Sequence, residues 1–209
     1  NLTLRVTIEP IKSLKIELSG NRNLTRNKSE YFRYQPLDGS FTNTSPTEPG
    51  KFSISYLTWN AHFIKDAQDY TNQNFEQFLK NRTEYSKLLD EQNPNVPRQG
   101  NDNGYGLNQK EVLTYSFLSA YSGRAPSKKL IDMFPDIPKP NWRVTYDGLS
   151  RLKPFMTFLQ SITISHGYRS VYSINTFSRN LYYTEANGYP TNTDTIGNFI
   201  PELDIQQVT

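Results

Sequence analysis

The chain has 209 residues, no cysteine and only two histidines, which excludes disulfides, thiolate catalysis, cysteine-ligated metals and a histidine-rich metal site. A net charge of +3 makes no strong case for nucleic-acid binding, and no run of about 18 apolar residues predicts a transmembrane helix. The mean hydropathy of −0.71 fits a soluble protein, but it also fits a transmembrane β-barrel, because half of each barrel strand faces water.

Two alternating runs open the chain. Residues 2–8 and 14–19 both carry Leu, Val or Ile at every second position and polar residues between, and a proline-containing turn at 9–13 separates them. This pattern predicts a β-hairpin with one apolar and one polar face. The edge hairpin of a soluble sandwich would show the same pattern.

The next segment is mainly polar. Residues 20–49 are rich in Asn, Ser, Thr, Gly and Pro, which is typical of a loop. The aromatic cluster at 31–37 is a candidate for one hidden strand, with a turn near Asp38-Gly39 after it. A clear strand follows at 50–64, and the change in its apolar parity at Tyr56-Leu57 predicts a bulge or a change of buried face there.

Residues 66–140 differ from the rest. Apolar residues recur at spacings of three and four over 66–93, which predicts a helix. A second helix is predicted from an N-cap at Asn108 to a stop at Gly123, followed by a proline-rich connector. The sequence shows no obvious core for this region, so we interpret it as an insertion between strands.

Strand patterning returns after the insertion. Residues 141–147 alternate, and 148–160 form a compact apolar connector with about one helical turn. The run 162–174 alternates over a length that could cross a bilayer at a tilt. Further strands are expected to begin at 181–183 and at 203–205.

Residues that carry chemistry are few. Ser165 and His166 cannot form a nucleophile–base pair, because adjacent strand residues point to opposite faces. The NGYG at 103–106 lacks the spacing of a phosphate-binding loop. The carboxylates near the first helix fit a solvated face better than paired acid–base catalysis. They are Asp66, Asp69, Glu76, Glu84, Asp90 and Glu91. The sequence therefore predicts no enzyme, no cofactor and no metal site.

Four segments carry a family resemblance. They are EPIKSLKIELSGNRN (9–23), FSISYLTWNAHF (52–63), NGYG followed by EVLTYSFLSAYSG (103–123), and PNWRVTYDGLSRLKPFMTFLQSITISHGYRSVY (140–172). In this order, with a helical insert between them, they resemble the SprA/Sov family of giant outer-membrane proteins of the bacterial type IX secretion system. The resemblance spans nearly the whole chain.

The resemblance implies a fragment of a far longer, all-β protein whose antiparallel strands form a very large transmembrane β-barrel. It implies an outer-membrane, cell-surface location and a role in protein translocation and gliding motility. The implied partners are outer-membrane lipid, the remainder of the barrel chain, secreted protein cargo and accessory subunits of the secretion machine. The implied divisions are barrel strands with a polar loop (1–65), the insertion (66–140) and barrel strands (141–209).

In a membrane barrel the apolar face of each strand contacts lipid and the polar face contacts the lumen, because a charged side chain in lipid near the midplane costs about 2–4 kcal/mol. The residues expected to face lipid are Leu2, Leu4, Val6, Ile8, Leu14, Ile16, Leu18, Trp142, Val144, Ile162 and Ile164. The residues expected to face the lumen are Thr3, Arg5, Thr7, Lys15, Glu17, Arg143, Thr145 and Thr163. The aromatics expected near the membrane–water interfaces are Trp59, Trp142, Tyr182 and Tyr183.

The residues themselves leave a second class open, a secreted β-sandwich that uses Tyr and Trp to bind glycan or protein. The six or seven strands counted are too few for the smallest ordinary barrel, so an apolar sheet of this size needs more chain or a second layer. If the connectors 9–13 and 148–160 are periplasmic, one extra crossing is needed between them. The segment 31–37 would supply it, and the insertion would then be extracellular.

Overall fold

The computed structural model shows mostly antiparallel β-structure with two helices, and the large sheet is curled into a half-barrel. The residues described are 1–37, 39–58, 71–96, 104–151 and 161–208. The strands are β1 (Leu2–Ile11), β2 (Leu14–Arg26), β3 (Ser29–Gln35), β4 (Ser40–Thr47), β5 (Gly50–Ser55), β6 (Asn141–Tyr146), β7 (Ile164–Tyr168), β8 (Val171–Arg179), β9 (Glu185–Ala186), β10 (Tyr189–Pro190) and β11 (Leu203–Val208). The helices are α1 (Gln73–Gln92) and α2 (Lys110–Ser122), with a 3₁₀ turn at Gly148–Arg151.

The predicted hairpin at the start of the chain is confirmed. β1 and β2 are antiparallel, with Val6 opposite Leu18 and Ile8 opposite Ile16. The turn is tighter than expected, because β1 continues to Ile11 and the register shifts between Ile8 and Ile11. Ser13 closes the turn at a φ of 75°, in the left-handed region.

β2 is the central strand of the seven-stranded sheet, which has the order β11-β8-β5-β2-β6-β7 with β1 also paired to β2. It runs to Arg26, so the prediction of a loop from residue 20 is wrong for its first seven residues. On one edge of β2 lies β1. On the other edge β6 pairs with Leu14–Ser19 and β5 pairs with Arg22–Arg26.

β5 and β6 therefore lie end to end and run in the same direction, as two halves of one strand position. The insertion leaves the sheet after Ser55 and rejoins it at Asn141, halfway along that position. The expected strand over 50–64 ends at Ser55, so the predicted bulge at Tyr56-Leu57 does not form within a strand; residues 59–64 lie outside the described ranges.

The strand position next to β5 and β6 is interrupted in the same way. β7 pairs with β6 and β8 pairs with β5, and only Arg169 and Ser170 separate the two strands. The expected run over 162–174 is thus two strands rather than one. Its predicted parity is nevertheless kept, because Tyr168 pairs with Trp142 and Tyr172 pairs with Ile54 on the same face.

β3 and β4 form a separate two-stranded ribbon, which continues β2 and β5 beyond the sheet. The strand expected at 31–37 exists, but it is not an extra crossing of the sheet. The expectation of one extra crossing between the two connectors is therefore wrong, since β5 and β6 together make one crossing of the sheet. The ribbon exposes its aromatics, and Phe32 stacks on Phe41 with ring centroids 4.9 Å apart.

Both predicted helices are present with shifted starts. Asn72 caps α1 through its side-chain oxygen, which accepts from the amides of Asn74 and Phe75. The N-cap of α2 is Gln109 rather than Asn108, whose side chain instead accepts a hydrogen bond from Arg82. Gly123 ends α2 in the left-handed conformation, as expected.

The insertion has a core, contrary to the expectation from sequence. One buried cluster joins both helices to the 180–202 loop, and its members are Tyr85, Leu89, Tyr105, Val112 and Phe199. A second cluster joins the insertion to the sheet. Its members are Phe52, Ile54, Leu118, Ile131, Tyr172, Ile174, Phe177 and Ile205.

The second cluster leaves no room at Gly50, where an added Cβ would lie 2.2 Å from the Phe177 ring. Phe177 is buried and cannot swing aside, so we expect Gly50→Ala to destabilise the sheet by about 1–3 kcal/mol. Gly167→Ala is the control, since its nearest neighbour would be 3.8 Å away. Urea unfolding of the two variants checks this, and equal midpoints would contradict it.

Candidate functional site: the two faces of the sheet

The pairing collects the residues expected to face lipid on one side of the sheet. Residues directly opposite in a sheet point to the same face. One row across the sheet is Val6, Leu18, Trp142 and Tyr168, and the next is Ile8, Ile16, Val144 and His166. Leu2, Leu4, Leu14 and Ile164 extend the same face, while Ile162 precedes β7. Contact with lipid stays a prediction.

This apolar face has two halves with different surroundings. Towards the β3–β4 ribbon, the insertion covers it with Leu118, Ile131 and Phe134. Towards the β1–β2 turn neither buried cluster of the described residues reaches it, and Val6 and Ile164 expose 52% and 53% of their surface. An uncovered apolar sheet face of this kind requires a further partner.

The boundary between the two halves lies at Gly20. A Cβ at Gly20 would lie 3.4 Å from Pro138 of the insertion. Two positions further along the same face, Arg22 donates to the carbonyl of Pro135 at 3.0 Å and to Asp136 at 2.8 Å. Arg22 is the one charged residue of β2 on this face before Arg26, and the insertion supplies its partners.

Aromatic side chains mark the same boundary. Trp142 stacks on Tyr168 with centroids 4.4 Å apart, and its Nε1 donates to His166 Nδ1 at 3.4 Å. Trp142 is half-buried and belongs to neither buried cluster. Of the other expected interface aromatics, Trp59 lies outside the described residues, Tyr182 is exposed, and Tyr183 is half-buried with its hydroxyl donating to Glu185. Residues 181–183 form a turn rather than the start of a strand.

The opposite face is polar and lines a groove of about 1100 Å³. Because the groove follows this face from β1 to β8, the polar face is on the inside of the curl. The groove brings together Thr3, Arg5, Glu17 and Arg143 of the residues expected to face the lumen. By register, Thr7, Lys15 and Thr145 lie on the same face, and Thr163 precedes β7. Alternation along the run 162–174 predicts Arg169 on the polar face, and it lines the groove from the break between β7 and β8.

Backbone and side-chain hydrogen bonds close the gap where the insertion leaves the sheet. The Lys139 amide donates to the Ser55 carbonyl at 2.9 Å, and Ser55 Oγ donates to the Lys139 carbonyl at 2.7 Å. Ser55 Oγ also accepts from the Asn21 amide at 3.1 Å. At the break between β7 and β8, the Ser170 amide donates to Asn141 Oδ1 at 2.9 Å and the Ser170 carbonyl accepts from the Tyr56 amide.

Ser55→Ala should loosen the insertion, because it removes the acceptor of the part-buried hydrogen bond from the Asn21 amide. Loss of such a hydrogen bond costs about 0.5–1.5 kcal/mol. We expect faster hydrogen exchange at Asn21 and Lys139, with the rest of β1 and β2 unchanged. Ser53→Ala, on the groove side of the same strand, is the control. Equal exchange in the two variants would show that Ser55 does not hold the junction.

A second cavity, of about 540 Å³, lies between α2 and the sheet. Its floor is apolar, and Arg26 lies over the rings of Phe134 and Phe177 at its edge. Glu111 of α2 lies in it near Glu202, and burial, followed by repulsion from Glu202, raises the pKa of Glu111 to about 7. Lys110 pairs with Asp204 beside it.

This carboxyl makes the α2 contact pH-dependent. Since the folded state holds the Glu111 proton up to a pKa of about 7 and an opened state releases it near 4.5, stability falls as pH rises between these values. Glu111→Gln should therefore slow hydrogen exchange of the α2 amides by about tenfold or more at pH 8 and leave it unchanged at pH 4. The exposed Glu84→Gln is the control, and a pH-independent effect of Glu111→Gln would exclude this explanation.

A scan against protein-family models finds no match for the chain, and a search of curated proteins finds none either. Among the described residues, the helices are too short or too polar to cross a membrane.

Proposed function

We propose that the chain is part of the wall of an outer-membrane protein-translocation channel of the type IX secretion type. The observation that carries this is the separation of the curled sheet into a polar groove inside and an uncovered apolar face outside. That separation is what a channel wall needs between lumen and lipid. The role in type IX secretion and gliding motility rests on the sequence resemblance.

The open edges support a larger barrel. Among the described residues, β1 pairs only with β2, β7 only with β6, and β11 only with β8. β1 has ten residues with both faces exposed, about the length that a tilted strand needs to cross a bilayer. A long, exposed edge with an apolar face would aggregate unless further strands paired with it. The rest of a longer barrel chain would supply those strands.

The insertion would then set how much of the sheet can contact the membrane. The β1–β2 turn and the start of the second connector lie at one end of the sheet, since the Asp147 amide donates to the Ser13 carbonyl at 3.0 Å. The insertion covers the other end, so it is extracellular if these connectors are periplasmic. The uncovered part of β2, Leu14–Ser19, spans only about 20 Å, which would bring the Pro135–Pro138 edge of the insertion to the lipid headgroups. Ile137 in this edge is 75% exposed.

A secreted sandwich is the weaker candidate. A sandwich covers the apolar face of one sheet with a second sheet. In the described ranges, the face is covered by helical and irregular segments of the insertion, and the only other sheets have two strands each.

Cysteine labelling tests the channel-wall proposal without background, because the chain has no cysteine. We expect Thr7→Cys and Thr145→Cys to react with a water-soluble maleimide in native membranes, while their strand neighbours Val6→Cys and Val144→Cys stay protected. All four should react after denaturation. Equal labelling of both pairs in membranes, or recovery of the protein outside the membrane fraction, would contradict the proposal.

The same reagent tests orientation. Ile137→Cys should react on intact cells if the insertion is extracellular. Reaction only after the cells are lysed would place the insertion in the periplasm.

A further inference from the structure

The charges that line the groove are unbalanced. Arg5, Arg143 and Arg169 line it, and among the described residues of the lining Glu17 is the only carboxylate. Glu17 is already engaged, since Lys15 lies 2.8 Å from its Oε1 on the same face of β2. The groove therefore presents an excess of positive charge.

Glu17 lies directly opposite Arg143, and its pKa is lowered chiefly by Lys15 and to a smaller extent by Arg143 and Arg5. In the part of the chain that the structure describes, no carboxylate lies within 4.0 Å of the three guanidinium groups, so the Glu17 carboxylate, which Lys15 shares, does not balance them. The arginines of β2 on the other face are different. Arg22 pairs with Asp136, and Arg26 lies over Phe134 and Phe177. Positive charge is thus paired or packed on the face that meets the insertion, and it exceeds negative charge among the described residues of the groove.

The spacing of the three arginines suits an extended chain of anions rather than one anion. They stand on three different strand lines, Arg5 on β1, Arg143 on β6 and Arg169 between β7 and β8. Neighbouring lines are about 4.8 Å apart, and Arg143 lies two residues, or about 7 Å, along its strand from Asn141, the position in line with Arg5, so the Cα atoms of Arg5 and Arg143 are separated by roughly 12 Å. One carboxylate cannot bridge that distance, whereas carboxylates along a polypeptide can.

The rest of the groove lining suits a polypeptide backbone. About half of it consists of Ser, Thr and Asn, whose hydroxyl and amide groups can donate to and accept from peptide groups. These residues include Thr3, Ser19, Asn21, Asn23, Ser53 and Ser165.

We propose that the groove binds acidic polypeptide segments, with Arg5, Arg143 and Arg169 holding successive carboxylates and the neutral lining holding the backbone. Guanidinium groups form charge-assisted, bidentate bonds with carboxylates, which favours them over single point charges for this role. The inference rests on the proposed function in one respect: in a translocation channel this groove lies in the lumen, and the acidic segment belongs to cargo.

The test uses the full-length protein, purified in detergent, and a fluorescent polyglutamate of about twenty residues as probe. We expect polyglutamate to bind at 50 mM salt, to be released as salt rises, and to bind more tightly than polylysine or a neutral Gly-Ser peptide. The combined variant Arg5→Gln, Arg143→Gln and Arg169→Gln should weaken binding by about tenfold or more.

A matched control removes the same charge elsewhere, with Lys80→Gln, Lys87→Gln and Lys129→Gln on exposed positions of the insertion. This control should change the affinity less than threefold. An equal loss in both variants, or binding no tighter than that of the neutral peptide, would overturn the proposal. Tighter binding of inorganic polyphosphate than of polyglutamate would overturn the assignment to carboxylates.

The outcome is separable from the channel-wall proposal. Binding in detergent does not depend on where the protein resides in the cell, whereas membrane fractionation and cysteine labelling do. Selective loss of polyglutamate binding in the arginine variant of a protein recovered outside the membrane would support the groove and exclude the channel wall. The reverse pair of results would support the wall and exclude the groove.

Discussion

A strand that is interrupted halfway must still satisfy the hydrogen bonds of its neighbours on both sides. In this sheet the interruption falls between β5 and β6, opposite Gly20 and Asn21 of β2. Ser55 Oγ accepts from the Asn21 amide in place of a strand carbonyl, and Lys139 pairs with Ser55 where the next strand residue would be. Because these bonds are made, β2 continues as one strand through the break and pairs with β1, β5 and β6 in one sheet.

The break also decides what covers the apolar face. The insertion leaves the sheet midway and folds back over only one half of that face, so one continuous row of apolar positions meets two environments. Leu24 and Phe52 pack into a closed core with the insertion, whereas Val6 and Ile8 remain uncovered. Gly20 and Arg22 lie at the boundary between these two environments. A bulky side chain at position 20 would clash with Pro138, and without Asp136 the charge of Arg22 would have no partner.

Alternation along the chain was enough to predict the β1–β2 hairpin, the face that each residue takes and the return of strands at Asn141, because these depend on neighbours in sequence. Alternation did not predict the extension of β2 through Asn21 and Asn23. In that part of β2, the residues on both faces are polar or contact residues that are distant in sequence. The end-to-end placement of β5 and β6 depends on which edge of β2 each one finds, and no local pattern records that. Alternation also places Arg169 on the polar face, and it lines the groove there although it lies at a break between two strands.

The curl of the sheet explains why the polar face and the open edges belong to one architecture. A curled sheet encloses space on one side only, and here that side carries the hydroxyls, the amides and the arginines that line the groove. If the edges at β1 and β7 stayed open, water would reach both faces, and the uncovered Val6, Ile8 and Ile164 would have no favourable environment. Pairing those edges with further strands removes the exposed backbone and extends the enclosed space at the same time. Closure into a larger barrel would therefore satisfy the edges and complete the groove, and a lipid environment around it would satisfy the half of the apolar face that the insertion does not cover.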